Sequence, residues 1–243
     1  MKSIFIGTLF NGESEFLEHT KAIHSQEKVI VKHHVIKNLP EHKAHEQLWI
    51  DWQAKQDNFD LFVKIDADTV LNRKTALFEI AKLFEQINVT GAQIKIFDYF
   101  SCSLISGINA FNSEVKFKKK VNKLFPDKVD YNHKIVLKGE LVSNLEPIAF
   151  HCLTPNPRQS FYYGFHRMIK KQNKILELVA SNWLVNKDSG REWALRGALC
   201  ASKAHLTKIF YNSSNVEKIY LKNQNIDAEI LEQFASRLSD HER

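Results

Sequence analysis

Short runs of apolar, β-branched residues alternate with amphipathic stretches over the first part of the chain. Such runs begin at residues 3, 28 and 61, and the stretches between them carry apolar residues at helical spacing. Strands and helices that alternate in this way are typical of βαβ units, in which the strands lie parallel in one sheet. We therefore predict an α/β fold with a mostly parallel sheet flanked by helices.

The pattern changes towards the carboxyl terminus. Before the change we predict a helix at 73–87, a strand at 89–97, a turn with flanking strand character at 103–115, and a strand at 140–153 that ends at His151. Beyond Pro157 the apolar residues recur at helical spacing almost to the end of the chain. We expect one α/β domain over 1–170 and a helical carboxyl-terminal extension over 171–243 that packs on it.

Composition places the chain among ordinary globular proteins, with 44% hydrophobic and 26% charged residues in 243. Its three cysteines, Cys102, Cys152 and Cys200, form no CxxC pair, so the sequence suggests neither a disulfide framework nor a cysteine-based zinc site. The amino terminus lacks the apolar core of a signal peptide, and no segment approaches about 18 uninterrupted apolar residues. These features predict a protein of the reducing cytoplasm that does not span a membrane.

The net charge of +6 is distributed unevenly. Between Glu114 and Lys174 the chain has 13 Lys or Arg residues against 5 Asp or Glu residues. Such a surplus attracts phosphate groups, whether in nucleic acid, in anionic lipid or in a diphosphate-linked small molecule. Charge alone does not choose among these partners.

The segment LFVKIDADTVL, residues 61–71, places two carboxylates at the end of a strand that reads as buried. An unpaired buried carboxylate is costly, so Asp66 and Asp68 predict a positive group nearby. Ligands of parallel sheets bind outside the carboxyl ends of the strands, and the corner at Gly7 and Thr8 should open on the same crevice. Two carboxylates there suit Mg²⁺ or Mn²⁺, although a turn or a helix cap would also explain them.

The same segment carries a family resemblance. FVKIDADTVL, about sixty residues after SIFIGTLFNGESEFLEHTKAI, resembles the nucleotide-sugar-dependent glycosyltransferases of the GT-A type, in particular family 2 and its relatives, over roughly residues 3–170. The resemblance implies a GT-A (Rossmann-like) fold and makes Asp68 a ligand of the Mn²⁺ or Mg²⁺ ion that bridges the donor diphosphate. It implies that Asp66 contacts the ribose or the metal's water shell, and that Gly7, Thr8 and Leu9 line the base pocket.

A second set of expectations follows from PIAFHCLTPNPRQSFYYGFHRMIKK, residues 147–171. Many GT-A enzymes take a metal ligand from a histidine at the end of a late strand, and His151 stands in such a place; a structural histidine is the alternative. Four basic residues follow that could hold the diphosphate or an anionic acceptor, or form a solvated helix face: Arg158, Arg167, Lys170 and Lys171. Asp98 either contacts donor sugar or acceptor, or is a turn carboxylate.

An inverting enzyme of this family also needs a base for the acceptor hydroxyl. The resemblance directs the search to the segment between SGINAFNSE and the His151 strand, where we select Asp130, with Asp127 behind it. The family's usual Glu-Asp pair is not present as such. The identity of the base and the inverting outcome therefore stay open.

The predicted function is a metal-dependent transfer of sugar from a nucleoside-diphosphate-sugar, with UDP favoured, to a glycan or lipid-linked acceptor in surface polysaccharide synthesis. The tail aromatics fit either a peripheral contact at the inner face of the membrane or a packed core: Trp183, Trp193, Phe210 and Tyr211. A nucleotidyltransferase would need a Gly-rich basic loop where this chain has TLFNGESEF. A nucleic-acid-binding module would explain KFKKK but not Asp66 and Asp68, so no nucleic-acid partner is expected.

Overall fold

The structure is a computed structural model that describes residues 1–86, 89–115, 136–139, 147–204 and 213–240. The strands in this part of the chain are β1 (Lys2–Phe10), β2 (Val29–Lys37), β3 (Leu61–Lys64), β4 (Thr69–Leu71), β5 (Gly91–Asp98), β6 (Ser103–Asn112), β7 (Val136–Gly139) and β8 (Ala149–His151). The helices are α1 (Phe16–His24), α2 (Glu41–Gln53), α3 (Ala76–Leu83), α4 (Pro157–Ile169), α5 (Asn173–Asn186), α6 (Ser189–Lys203), α7 (Ser213–Lys222) and α8 (Ala228–Ser239). The predicted α/β class, with a helical carboxyl-terminal part, is confirmed.

The chain divides into two compact units. The first consists of Met1–Asp98 and Leu104–Leu153, and the second of Tyr99–Ser103 and Thr154–Arg243. The sheet and helices α1 to α3 belong to the first unit, and helices α4 to α8 belong to the second. The domain boundary expected at residue 170 lies inside the second unit.

The strands form one sheet in the order β2-β1-β3-β6-β5-β8-β4, with β7 paired to β5. Strand β1 is parallel to β2 and β3, and β5 is parallel to β7 and β8. Strand β6 is antiparallel to β3, and β4 is antiparallel to β8. The predicted mostly parallel sheet is confirmed.

Strand β4 is an element that the sequence pattern did not predict. The chain turns back after β3 through a hydrogen bond from the Thr69 amide to the Asp66 carbonyl, 3.0 Å long, and then pairs with β8 over three residues. So short a strand has no periodicity of its own. Its existence depends on β8, about eighty residues further along the chain.

The sheet of the first unit is covered on both faces because successive side chains of a strand point in opposite directions. One face packs an aromatic cluster against α2, in which Phe5 and Phe62 contact Trp49 or Trp52. The other face packs aliphatic residues of the strands against α1 and α3. Strands buried on both faces explain the nearly continuous apolar runs in the sequence.

The second unit packs α4 closely against α6 at two glycines. A Cβ at Gly164 would overlap the backbone of Ala194, and a Cβ at Gly197 would overlap the backbone of Phe161. Close backbone approach therefore requires glycine at both positions. Within the same unit, Trp183 is buried and Trp193 packs in a cluster around Phe161, whereas Phe210 and Tyr211 lie outside the described residues.

None of the described helices is both long and apolar enough to cross a membrane.

Candidate active site

The two carboxylates that follow β3 have different surroundings. Asp66 Oδ1 lies 2.6 Å from Nζ of Lys64, the last residue of β3, and its side chain is 46% exposed. Asp68 faces β8 instead, where its Oδ2 lies 3.4 Å from Nε2 of His151. Each carboxylate therefore has a positively charged or protonatable neighbour of its own.

The ionised form of the Asp68 carboxyl group is strongly favoured. Burial raises the pKa of Asp68, but the neighbouring His151 and a hydrogen bond from Cys152 outweigh burial and bring the pKa down to about 2. Its second oxygen, Oδ1, is buried and has no hydrogen-bond partner among the described residues. A buried anionic oxygen without a donor carries a desolvation penalty that a bound cation would offset. The site therefore fits a divalent ion.

His151 is oriented from behind by Asp98. Its Nδ1 lies 2.7 Å from Oδ1 of Asp98, which is fully buried, and the pairing of β5 with β8 places the two residues side by side. A histidine that donates Nδ1–H to a carboxylate presents Nε2 in a fixed direction, as metal-ligating histidines do. Here Nε2 is directed at Asp68. The structure thus brings together three residues that the sequence selected.

The protonation of His151 follows from its neighbours. Burial lowers the pKa of His151, but the Cys152 sulfur and the carboxylates of Asp68 and Asp98 raise it well above its ordinary value. The imidazolium formed in this way would neutralise Asp68. A divalent cation would take over the same role.

Cys152 also belongs to this group, and sequence reasoning missed it. Its Sγ lies 3.4 Å from Oδ2 of Asp68 and 3.4 Å from Nε2 of His151. Burial and the charge of Asp68 raise the pKa of the Cys152 thiol well above its usual range. Because this cysteine is part of no CxxC pair, only its position next to His151 at a strand end could have drawn attention to it.

Glu13 is a second residue that sequence reasoning missed. It lies in the loop between β1 and α1, where its carboxylate accepts a 2.6 Å hydrogen bond from the Asn11 amide. Burial, with the like charges of Asp68 and Asp66, raises the pKa of Glu13 to about 7 despite that hydrogen bond. Loops that follow parallel strands meet at one edge of a sheet, so the carboxylates of NGESEF were a signal for this neighbourhood.

The residues predicted to line the base pocket, Gly7 to Leu9, contact other residues of the protein. A Cβ at Gly7 would collide with the side chains of Leu48 and Phe62, so this glycine lets α2 pack on the sheet. The buried Thr8 hydroxyl lies 3.0 Å from His19 Nε2 and 3.1 Å from His33 Nε2. Leu9 is partly buried beside the aromatic cluster. Contact of these residues with a nucleotide base stays a prediction.

The basic residues selected from 158–171 lie in the second unit. Arg158 donates to Glu217 at 2.6 Å, and Arg167 donates to Gln172 at 2.7 Å. Lys171 is exposed and has a positive φ of 53°. Their predicted contact with a diphosphate stays a prediction.

The two residues selected as catalytic base, Asp127 and Asp130, lie outside the described residues. Their predicted role is therefore untested by the structure. The same is true of the KFKKK segment that would serve a nucleic-acid-binding module.

Comparison with known proteins gives structural neighbours and no sequence relatives. No protein-family model and no curated protein sequence matches the chain. Among solved structures it is similar to the mannosyltransferase PcManGT from Pyrobaculum calidifontis in complex with GDP-Man and Mn²⁺, with 10% identity over 97% of this chain and 84% of that chain and a TM-score of 0.42. It is also similar to a glycosyltransferase involved in the glycosylation of the major capsid of PBCV-1, with 16% identity over 46% of this chain and 60% of that chain and a TM-score of 0.34. Both neighbours are glycosyltransferases, and both likenesses are distant.

Proposed function

We propose that this chain is a metal-dependent glycosyltransferase that moves a sugar from a nucleoside-diphosphate-sugar to a hydroxyl of an acceptor. The observation that carries the proposal is the buried Oδ1 of Asp68, which lacks a hydrogen-bond partner among the described residues, beside a histidine oriented by Asp98. The family resemblance of FVKIDADTVL supports a donor diphosphate at the same place. The two structural neighbours are also glycosyltransferases, but these likenesses are too distant to support the proposal.

The chemistry requires stabilisation of the charge that develops on the departing diphosphate. When bound, a divalent ion supplies positive charge at that position. Asp68 and His151 would hold the ion, and Asp98 would keep the imidazole in the required orientation. Asp66, paired with Lys64 and partly exposed, would contact the ribose or the water shell of the ion.

The remaining steps of the proposal rest on sequence. Asp130, with Asp127 behind it, would take the proton of the acceptor hydroxyl. We further propose a UDP-sugar as donor and a glycan or lipid-linked acceptor of a surface polysaccharide, used at the cytoplasmic face of the membrane. No disulfide links the described cysteines, which is consistent with a reducing compartment.

The test is hydrolysis or transfer from a panel of nucleotide-sugars, UDP-sugars first, with and without Mn²⁺. Asp68→Asn keeps the size of the side chain but removes its charge, and we expect turnover to fall about 100-fold or more because transition-state stabilisation is lost. The matched control is Asp57→Asn, at an exposed carboxylate after α2, which should retain wild-type turnover.

The proposal is overturned if Asp68→Asn turns over like the wild type. Thermal shift separates the rival functions. Stabilisation by a nucleoside diphosphate only in the presence of metal supports the transferase, and stabilisation by single-stranded oligonucleotide without metal contradicts it. A response confined to nucleoside triphosphates would indicate a nucleotidyltransferase instead.

A further inference from the structure

Three side chains of different chemistry form a nearly regular triangle at the carboxyl end of β8. Cys152 Sγ, His151 Nε2 and Asp68 Oδ2 are separated by 3.4 Å along each of the three sides. Each atom is a recognised metal ligand in its deprotonated form. The triangle is therefore a candidate first coordination shell.

The size of the triangle discriminates between coordination geometries. Tetrahedral bonds of about 2.0 to 2.3 Å, as zinc makes to nitrogen, oxygen and sulfur, place neighbouring ligand atoms about 3.3 to 3.6 Å apart. Octahedral Mg²⁺, with bonds of about 2.0 to 2.1 Å, would place adjacent ligands about 2.9 Å apart. The observed spacing of 3.4 Å lies within the tetrahedral range and exceeds the octahedral one.

The backbone is shaped to bring two consecutive side chains to one point. Residues that follow each other in a strand normally point to opposite faces. Cys152 instead has a φ of 55°, in the left-handed region, and its amide donates to the Asp68 carbonyl at 2.8 Å. Left-handed backbone is unfavourable for a residue other than glycine and is often found at functional sites. Here it directs both His151 and Cys152 at Asp68.

The chemistry of the ligands agrees with the geometry. A cysteine sulfur is a soft ligand that zinc-like ions accept, whereas Mg²⁺ requires oxygen. Three protein ligands are typical of catalytic zinc sites, which keep a fourth position for water or substrate. Asp98 behind His151 completes the arrangement of carboxylate, histidine and metal.

We propose that Asp68, His151 and Cys152 bind one thiophilic divalent cation of the zinc class. On binding, one bond to the metal forms from each of the Cys152 sulfur, the His151 nitrogen and the Asp68 oxygen, and the Sγ proton and any Nε2 proton pass to solvent. The inference rests on the proposed function for its catalytic meaning, because a diphosphate oxygen would occupy the fourth position. Binding of the metal itself is measurable without substrate.

The experiment is titration of metal-free protein with Co²⁺, a spectroscopic substitute for Zn²⁺, in the absence of nucleotide. We expect a sulfur-to-cobalt charge-transfer band in the near ultraviolet, visible bands with tetrahedral intensity, and displacement of Co²⁺ by stoichiometric Zn²⁺ but not by excess Mg²⁺. The wild-type spectrum by itself decides whether sulfur is bound, so the result does not depend on whether a variant folds. A spectrum without a sulfur band, or with weak octahedral bands, overturns the inference.

Cysteine variants identify which residue supplies the sulfur that binds the metal. Cys152→Ser should lose the charge-transfer band and weaken Zn²⁺ binding by about 100-fold or more, since loss of an outer-shell partner already costs 10- to 100-fold. The matched control, Cys102→Ser at an exposed cysteine of the second unit, should keep both. A charge-transfer band that persists in Cys152→Ser and disappears in Cys102→Ser would refute the assignment.

Failure of this inference differs from failure of the proposed function. If the protein binds Co²⁺ through sulfur but cleaves no nucleotide-sugar, the metal site stands and the proposed glycosyltransferase function is refuted. If the wild type transfers sugar with Mg²⁺ or Mn²⁺, and the Cys152→Ser variant transfers it equally well, the proposed function stands and the zinc-class site is refuted.

Discussion

Replacement of Glu13 by Gln tests the electrostatics of the candidate site without touching a proposed ligand. Glutamine can still accept the hydrogen bond from the Asn11 amide, but it carries no charge beside Asp66 and Asp68. The wild-type carboxyl group is held largely protonated below neutral pH. We therefore expect wild type and Glu13→Gln to have similar stability in acid and to diverge as the pH rises.

The sign and size of the stability difference between Glu13→Gln and wild type follow from the pKa of Glu13. Burial and the two neighbouring carboxylates raise the pKa of Glu13 from 4.5 to about 7. The stability linked to a raised pKa is fully present below the unfolded value and is lost as pH rises through the folded value. At about 1.4 kcal/mol per pKa unit, Glu13→Gln should gain about 3 kcal/mol relative to wild type between pH 4.5 and pH 8.

The assay is urea unfolding of both proteins in EDTA at several pH values between 4.5 and 8.5, with the free energies of unfolding compared at each pH. Glu18→Gln, at an exposed glutamate of α1, is the matched control and should show a difference from wild type that does not change with pH. Saturating Zn²⁺ or Mn²⁺ should reduce the Glu13→Gln effect, because a cation near Asp68 lowers the pKa of Glu13. A Glu13→Gln difference that is constant within about 0.5 kcal/mol across the range would refute the reasoning.

Two further outcomes are expected. Asp98→Asn should weaken metal binding about 10- to 100-fold, because a neutral amide oxygen is a weaker acceptor for Nδ1–H of His151 than a carboxylate. Calorimetry measures the affinity, and an unchanged affinity would contradict the positioning role. Gly164→Ala should destabilise the protein by about 3 kcal/mol or more, because its Cβ overlaps the backbone of Ala194. The control Ser202→Ala, on the exposed surface of α6, should change stability by no more than about 0.5 kcal/mol. Thermal unfolding followed by circular dichroism measures both. Equal stability of the two variants would show that α4 and α6 do not pack as described.

Several features of the fold were predictable because their causes are local. Period-two runs, helical spacing and small-residue corners identify most strands and helices, and their alternation identifies a parallel sheet. Boundaries were less accurate. The predicted helix at 73–87 is Ala76–Leu83. Within the described residues, the predicted strand at 140–153 is confined to Ala149–His151.

The sequence by itself determined that two carboxylates would stand at the carboxyl end of a buried strand, because that pattern is complete within eleven residues. Only the tertiary structure decided what each of them meets. Asp66 finds Lys64 two residues away, but Asp68 reaches His151 and Cys152 because β8 lies between β5 and β4. That strand order arises from pairing and packing between distant segments, and no local pattern encodes it. For the same reason the proximity of Cys152 to Asp68 and the contact of Asp98 with His151 became visible only once the sheet was formed.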